Sequence, residues 1–383
     1  MKIVQLQLTA GQPVAAGLAP LRDFVPQLVL AFGDPAFFRD RELHRALRAA
    51  APGAVLAGCS GAGEIRADQV HDGTLALTAL SFDACHASGA STTIAGMADS
   101  RDAGQRLGNA LPHAGLRHVL VFGTGLAING SALVDGLQGT LPGSVRLSGG
   151  LAGDSGAFVE TFTLGNQGAA SDQIVAVGLY GATLAVGNSC LGGWVPFGPA
   201  RRITRCEHNV LYELDGESAL NIYKRYLGPY AKELPASGLL FPFELMRDDR
   251  QGSGLIRTIL GVDEATGSLT LAGDVPQGGL LKLMHASTER LIDAAEQAAL
   301  ELQPLVRRHP GPSLALLVSC VGRKLVMGDR VDEEVEAVAS VLGTSATVAG
   351  FYSYGEISGS SFFGDPCLHN QTMTITWLAE AIA

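Results

Sequence analysis

One pattern restricts the fold of this chain more than any other, and it occurs three times. An apolar run is followed by an amphipathic stretch, a second apolar run that ends in a glycine-rich turn, and a final apolar run. In the first copy, Leu28-Val29-Leu30-Ala31-Phe32-Gly33 precedes a helical stretch over 39–50. Leu43, Ala46, Leu47 and Ala50 share one face of it, and Pro52-Gly53 ends it. The next run passes through Gly58-Cys59-Ser60-Gly61-Ala62-Gly63-Glu64-Ile65, and 74–80 closes the unit. The second copy runs from Val119 through a helix over 130–141, capped by Asn129 or Ser131, to the turn at Gly153-Asp154 and the strand 174–180. The third uses 314–320, a helix over 332–342 with Glu333 and Glu334 near its positive end, the turn 347–357 and the strand 372–378. The order is β-α-β-β each time. Gly33 to Gly63 and Gly123 to Gly153 are each thirty residues apart.

Such repetition predicts an α/β fold of two domains built from β-α-β-β units, with mixed sheets flanked by helices. Glu64, Asp154 and Glu356 are then expected at equivalent strand ends, where ligands commonly bind; each either caps nearby backbone groups or faces a ligand. The segment 192–279 breaks the pattern. It carries Trp194 and several prolines, a helix near 216–226 and strands near 254–261 and 269–272, before a helix over 287–302. The domain boundary is expected near 187–198, giving domains 1–190 and 191–383.

With 47% hydrophobic and 17% charged residues the chain has ample material for cores. Its 49 glycines are about twice the usual share of roughly 7%. A formal charge of −10 argues against nucleic acid and against an anionic membrane surface. No run of about 18 apolar residues is present to insert into a bilayer. Six cysteines without CxxC spacing fit a reduced, cytoplasmic setting.

Known catalytic motifs are missing. Gly58 to Gly63 looks like half of a dinucleotide loop but leads into a strand, so it lacks the helix N-terminus that cradles phosphate. Cys59-Ser60 and Ser319-Cys320 follow apolar strands, where a cysteine packs as a small hydrophobe; Cys320 has Arg323 nearby but no base. None of the nine histidines falls in a zinc pattern. His369-Asn370 stands out because it lies close to Tyr352, Tyr354, Phe362 and Phe363. This cluster either suits a flat apolar ligand or plugs the C-terminal domain.

The motifs together resemble the FIST family of bacterial sensory proteins over nearly the whole chain. Gly58-Cys59-Ser60, Gly63-Glu64-Ile65 and 147–154 match its FIST N domain. Gly193 to Pro199, 210–216, Gly273-Asp274-Val275-Pro276, 319–323, 350–357 and His369 to Thr374 match its FIST C domain. The resemblance implies a non-enzymatic signal-input module for a small ligand. One free-standing branch, similar in size, binds haem, senses nitric oxide and regulates a separate histidine kinase; this is the leading expectation here. An amino acid or similar polar metabolite is the alternative, and a cysteine-dependent enzyme ranks behind both. The resemblance marks no haem ligand, and His369 is the candidate that the residues themselves offer.

A ligand site is therefore expected where turns of the two domains converge. Tyr352, Tyr354, Glu356, Arg323, His369 and Asn370 should form its C-terminal wall, with Trp194, Glu64 and Asp154 as further candidates. A buried Glu356 is expected to pair with Arg323, a backbone N–H or the ligand.

Overall fold

A computed structural model describes residues 1–246, 252–359 and 364–381. Phe362 and Phe363, expected in the aromatic cluster, lie outside the described residues. The three predicted units are present, each as a parallel strand pair joined by a helical crossover. The pairs are Leu28–Gly33 with Val55–Ser60, Leu116–Gly123 with Arg146–Leu151, and Ser313–Cys320 with Ala346–Ser353. Every other pairing among the described strands is antiparallel, as hairpin and return connections require. The helices form where apolar periodicity and caps coincide. Arg41–Ala50 starts at Asp40, whose side chain accepts from the Glu42 N–H, and Gly130–Gln138 starts at Asn129, which accepts from the Ala132 N–H.

Each pair becomes the centre of a six-stranded sheet. The first sheet runs Lys2–Thr9, Thr74–Ser81, Leu28–Gly33, Val55–Ser60, Thr163–Gly165, Gly168–Ala170. The second runs His86–Thr93, Gln173–Tyr180, Leu116–Gly123, Arg146–Leu151, Gly355–Ser358, Cys367–His369. The third runs Leu184–Leu191, Met373–Glu380, Ser313–Cys320, Ala346–Ser353, Glu64–Arg66, Gln69–His71. The last two strands of each sheet are a hairpin on loan from another unit. The first unit lends to the third sheet, the third to the second, and the second to the first, so the exchange closes in a ring.

One face of each sheet turns inward. Leu30, Phe32, Leu120, Phe122, Leu316, Val318 and Phe351 meet there in a common core, with Phe32 stacked on Phe351 at 4.8 Å and edge-on to Phe122 at 5.5 Å. The outer faces are covered by helices, chiefly Arg41–Ala50 on the first sheet and Ser100–Ala110, Gly130–Gln138, Thr288–Arg308 and Asp332–Leu342 on the others. The segment after Leu191 forms a separate antiparallel sheet of eight strands with its own core, around Ile203, Leu211, Leu220, Tyr223, Leu269 and Leu281. This inserted sheet packs against the turns of the second unit.

At one position in every unit the two parallel strands come too close for a side chain. Gly58, Gly149 and Gly350 lie opposite Ala31, Val121 and Leu317 and all have positive φ. A Cβ there would stand 1.9, 1.9 and 1.8 Å from the facing carbonyl oxygen. Gly149→Ala should therefore destabilise the protein by at least ~3 kcal/mol, from overpacking and backbone strain together. Denaturant unfolding would measure it, and Gly53→Ala, which meets open space, supplies the control.

Candidate functional site

The strand–turn junctions of the second unit face the inserted sheet across a cleft of about 480 Å³. One wall is the loop after strand Leu116–Gly123 and the start of helix Gly130–Gln138. The other is the turn at His208-Asn209 and the stretch from Leu271 to Asp274. Asn129 bridges them: its Nδ2 donates to Asp274 Oδ1 at 3.1 Å, while its own Oδ1 caps the helix. The cleft narrows inward to a crevice of about 40 Å³ floored by Tyr354, Leu368 and Asn370. Asn370 is 1% exposed and its Oδ1 has no hydrogen-bond partner. A buried amide acceptor left unmet is costly, and here it borders an opening that a donor can enter.

Arg257 stands directly behind this wall, 4% exposed. Its protein hydrogen bonds go to main-chain carbonyls, of Asp274 at 3.1 Å, Ile256 at 3.0 Å and Leu368 at 3.4 Å. Burial lowers its pKa to about 10, which still leaves it charged. Gly273 separates it from the cleft, because a Cβ at that position would meet the guanidinium Nε at 2.9 Å. The crevice therefore carries an unmet acceptor with a positive field from behind, and the wider cleft at its mouth carries the carboxylate of Asp274.

Of the residues expected at the site, Tyr354 and Asn370 line the cleft, and Asp154 supports Tyr354 from the far side. The Tyr354 hydroxyl donates to the Asp154 carboxylate and accepts from the Gly156 N–H, and Phe158 stacks on its ring at 4.3 Å. Asp154 also accepts from the N–H groups of Phe158, Val159 and Glu160, so it organises the loop 154–162. It is not the counterpart of Glu64 and Glu356. Glu64 pairs with Phe351 and Glu356 with Gly150, and the matching place in the first sheet, opposite Cys59, belongs to Thr163. The second unit inserts a loop before its hairpin, which displaces the acid.

Glu64 and Glu356 are twins within the fold. Glu64 accepts from the N–H and hydroxyl of Thr74 at 3.2 and 2.9 Å. Glu356 accepts from the same groups of Thr372 at 3.1 and 2.9 Å, and from Ser353 at 2.7 Å. Their cross-strand neighbours are His71 and His369. Each acid locks a lent hairpin to its own unit's last strand. Glu356 thus takes the backbone N–H that was one of its expected partners, and the expected pairing with Arg323 does not form. Arg323 instead binds Glu334 at 2.6 and 3.1 Å in a fully buried network that Tyr352 and Ser319 complete by donating to Glu334. Arg323 and Tyr352 consequently sit away from the cleft. Glu334 is this network's anion, a role that its place at the start of a helix did not disclose.

His369 is fully enclosed and its Nε2 contacts the Ser358 carbonyl at 2.9 Å. Burial pushes its pKa down to about 4, so the ring is neutral. An iron has no approach to that nitrogen, which makes His369 a fastening of the hairpin and a poor haem ligand. Trp194 is half-buried and donates from Nε1 to the Gln371 carbonyl at 2.7 Å, outside the cleft lining. Cys320 is enclosed, and burial raises its thiol well above the usual range, so no thiolate nucleophile forms there. Sequence reasoning missed Asn209 and Arg257 as parts of the site. Asn129 was visible only as a cap, and Asp274 only inside a motif.

Burial raises Glu64 to about pKa 8 and Glu356 to about 7. These groups keep their protons in the folded chain after the unfolded chain has lost them, so their linkage makes stability fall as pH rises from about 4.5 toward 8. His118 and His369, depressed to about 3 and 4, act in the opposite sense but only below their unfolded value of 6.5. Between pH 6.5 and 8 the two glutamates act without that opposition. The melting temperature should drop across this window, and the Glu64→Gln, Glu356→Gln double variant should flatten the drop. An equally steep fall in the variant would mean that other groups carry the linkage.

Residues 27–217 match the model of the FIST N domain and residues 219–359 that of the FIST C domain. An uncharacterized protein of Mycobacterium tuberculosis is 27% identical over 261 residues, covering 65% of this chain and 64% of that protein. An uncharacterized protein of Mycobacterium bovis is 27% identical over 195 residues, 49% of each chain. The chain thus spans just under two thirds of the length of the first of these relatives and about half of the other. The two domain models between them take in most of the three-sheet body and the inserted sheet, and the chain belongs to the FIST family.

Proposed function

We propose that this protein is a signal-transduction sensor whose ligand, a polar metabolite of about amino-acid size, binds in the cleft between the second unit's turns and the inserted sheet. FIST domains are sensor domains for small ligands, and the cleft volume suits such a molecule. The observation that carries the reading is Asn370 Oδ1, buried, unpartnered and bordering the cleft. An ammonium or amide donor would satisfy it, with Asp274 as a second acceptor and Asn129 and Asn209 offering amide contacts. A ligand that touches both walls favours one seating of the inserted sheet over others, which is how occupancy becomes a signal. The proposed recipient is a separate histidine kinase. The proposed location is the cytoplasm, supported by six free cysteines; among the described residues no helix is long and apolar enough to cross a membrane.

Haem remains the second reading, at a different place. His285 is exposed in a groove of about 470 Å³ beside Phe197, Tyr230 and Phe241. An accessible imidazole among aromatic rings fits an axially held porphyrin, with haem supplying the iron that takes up nitric oxide.

A thermal-shift screen of amino acids separates the readings. A true ligand at a hundred times its Kd stabilises by about 2.7 kcal/mol. Asn370→Ala should weaken it about tenfold while the chain stays folded, in keeping with the loss of one buried hydrogen bond. If no polar metabolite shifts the melt, the cleft reading fails. The haem reading predicts a Soret band after reconstitution that His285→Ala abolishes and His369→Ala leaves intact. No band, or one indifferent to His285, removes it.

A further inference from the structure

The end of the three-sheet body opposite the glycine turns holds a second opening, of about 350 Å³, between the second and third sheets. His118 lines it at the start of strand Leu116–Gly123, on the inward face shared with Leu120 and Phe122. Its side chain is 0% exposed. A one-way hydrogen-bond chain leads to it. Asn188 Nδ2 donates to Thr376 Oγ1 at 3.1 Å, and Thr376 donates to Ser148 Oγ at 2.7 Å. Ser148 then has one hydrogen left, and His118 Nε2 lies 2.8 Å away to accept it. With Nε2 accepting, the ring proton sits on Nδ1. Burial lowers the His118 pKa to about 3, so the ring is neutral and no second proton is present. Nδ1 has no hydrogen-bond partner.

A buried N–H donor on a residue that lines a cavity calls for an acceptor, and the rim shows which kind. Arg146, in register beside His118 on the adjacent strand, and Arg117 both line the opening, with Ser144 and Asn188. Arg146 contacts Asp365 at 2.8 Å, but both side chains are at least half exposed. Such a surface pair is worth little and exchanges readily. In a chain of net charge −10, two arginines around an unmet donor form a local basic site. We infer that this opening is a second binding site, for the oxyanion group of a small molecule (a carboxylate or a phosphate), held by the Nδ1–H of His118 and the guanidinium groups of Arg146 and Arg117. Ser148 is sealed beneath the histidine and aligned by Thr376. It sets the tautomer and is not a nucleophile.

The test is nitrogen NMR of histidine-labelled protein, titrated with sodium phosphate and with sodium acetate, each against sodium chloride at matched ionic strength. The expected result is a proton on His118 Nδ1 and a saturable shift of that resonance. A response to phosphate alone assigns a phosphate group, to acetate alone a carboxylate, and to both their shared oxyanion chemistry. The Arg117→Gln, Arg146→Gln variant changes only rim positions and should keep the fold, yet weaken binding about tenfold or more. An unprotonated Nδ1, no saturable shift with either anion, or unchanged binding in the variant would overturn the site.

Discussion

The close approach of two parallel strands at Gly58, Gly149 and Gly350 governs the architecture. At each of these places a carbonyl oxygen occupies the space where a side chain would begin. Three sheets with such tight centres can turn their inner faces toward one another, and Phe32, Phe122 and Phe351 fill what remains. A few residues beyond each glycine the chain leaves its own sheet and pairs with another, in the second unit after a loop.

That loop sets the second unit apart from the two others that share its fold. The first and third turns lead at once into a lent hairpin held by Glu64 or Glu356, and both acids are consumed in holding it. The second turn carries the loop 154–162, arranged around Asp154 and leaning on Tyr354. The departure from symmetry adjoins the cleft through Tyr354, which the loop supports and which floors the crevice. The proposed site thus lies where the repeat is broken, while the intact copies hold the body together.

Much of this could be read in the residues. The three units, the helix beginning at Asn129 and the mixed sheets follow from apolar periodicity and glycine placement. The lent hairpins could not be read, because strands of three residues such as Glu64–Arg66 and Thr163–Gly165 carry too little alternation to reveal their partners. Counting thirty residues between glycines aligned Gly63 with Gly153, one position off the structural match, in which Gly58 corresponds to Gly149. The slip made Asp154 look like a third equivalent acid. Arg323 and Glu356 were close enough in motif order to suggest a pair. Which buried charge meets which is decided by packing between elements, so Glu334 took the partner. His118 gave no signal at all, since a single histidine in an apolar strand reads as core until its unmet nitrogen and its two arginine neighbours are seen together.

The circular lending of hairpins also bears on how such a chain is made. Ile65 pairs with Gly350, so the earliest unit to leave the ribosome holds a finished hairpin with no sheet to join until almost the entire polypeptide has emerged. Through most of synthesis that edge is an open template for any other strand. The family's two domain segments are for this reason not separable modules in the ordinary sense. A cut between them would leave the third sheet without its lent hairpin and the hairpin without its sheet, and evolution can shuffle the pair only as a whole.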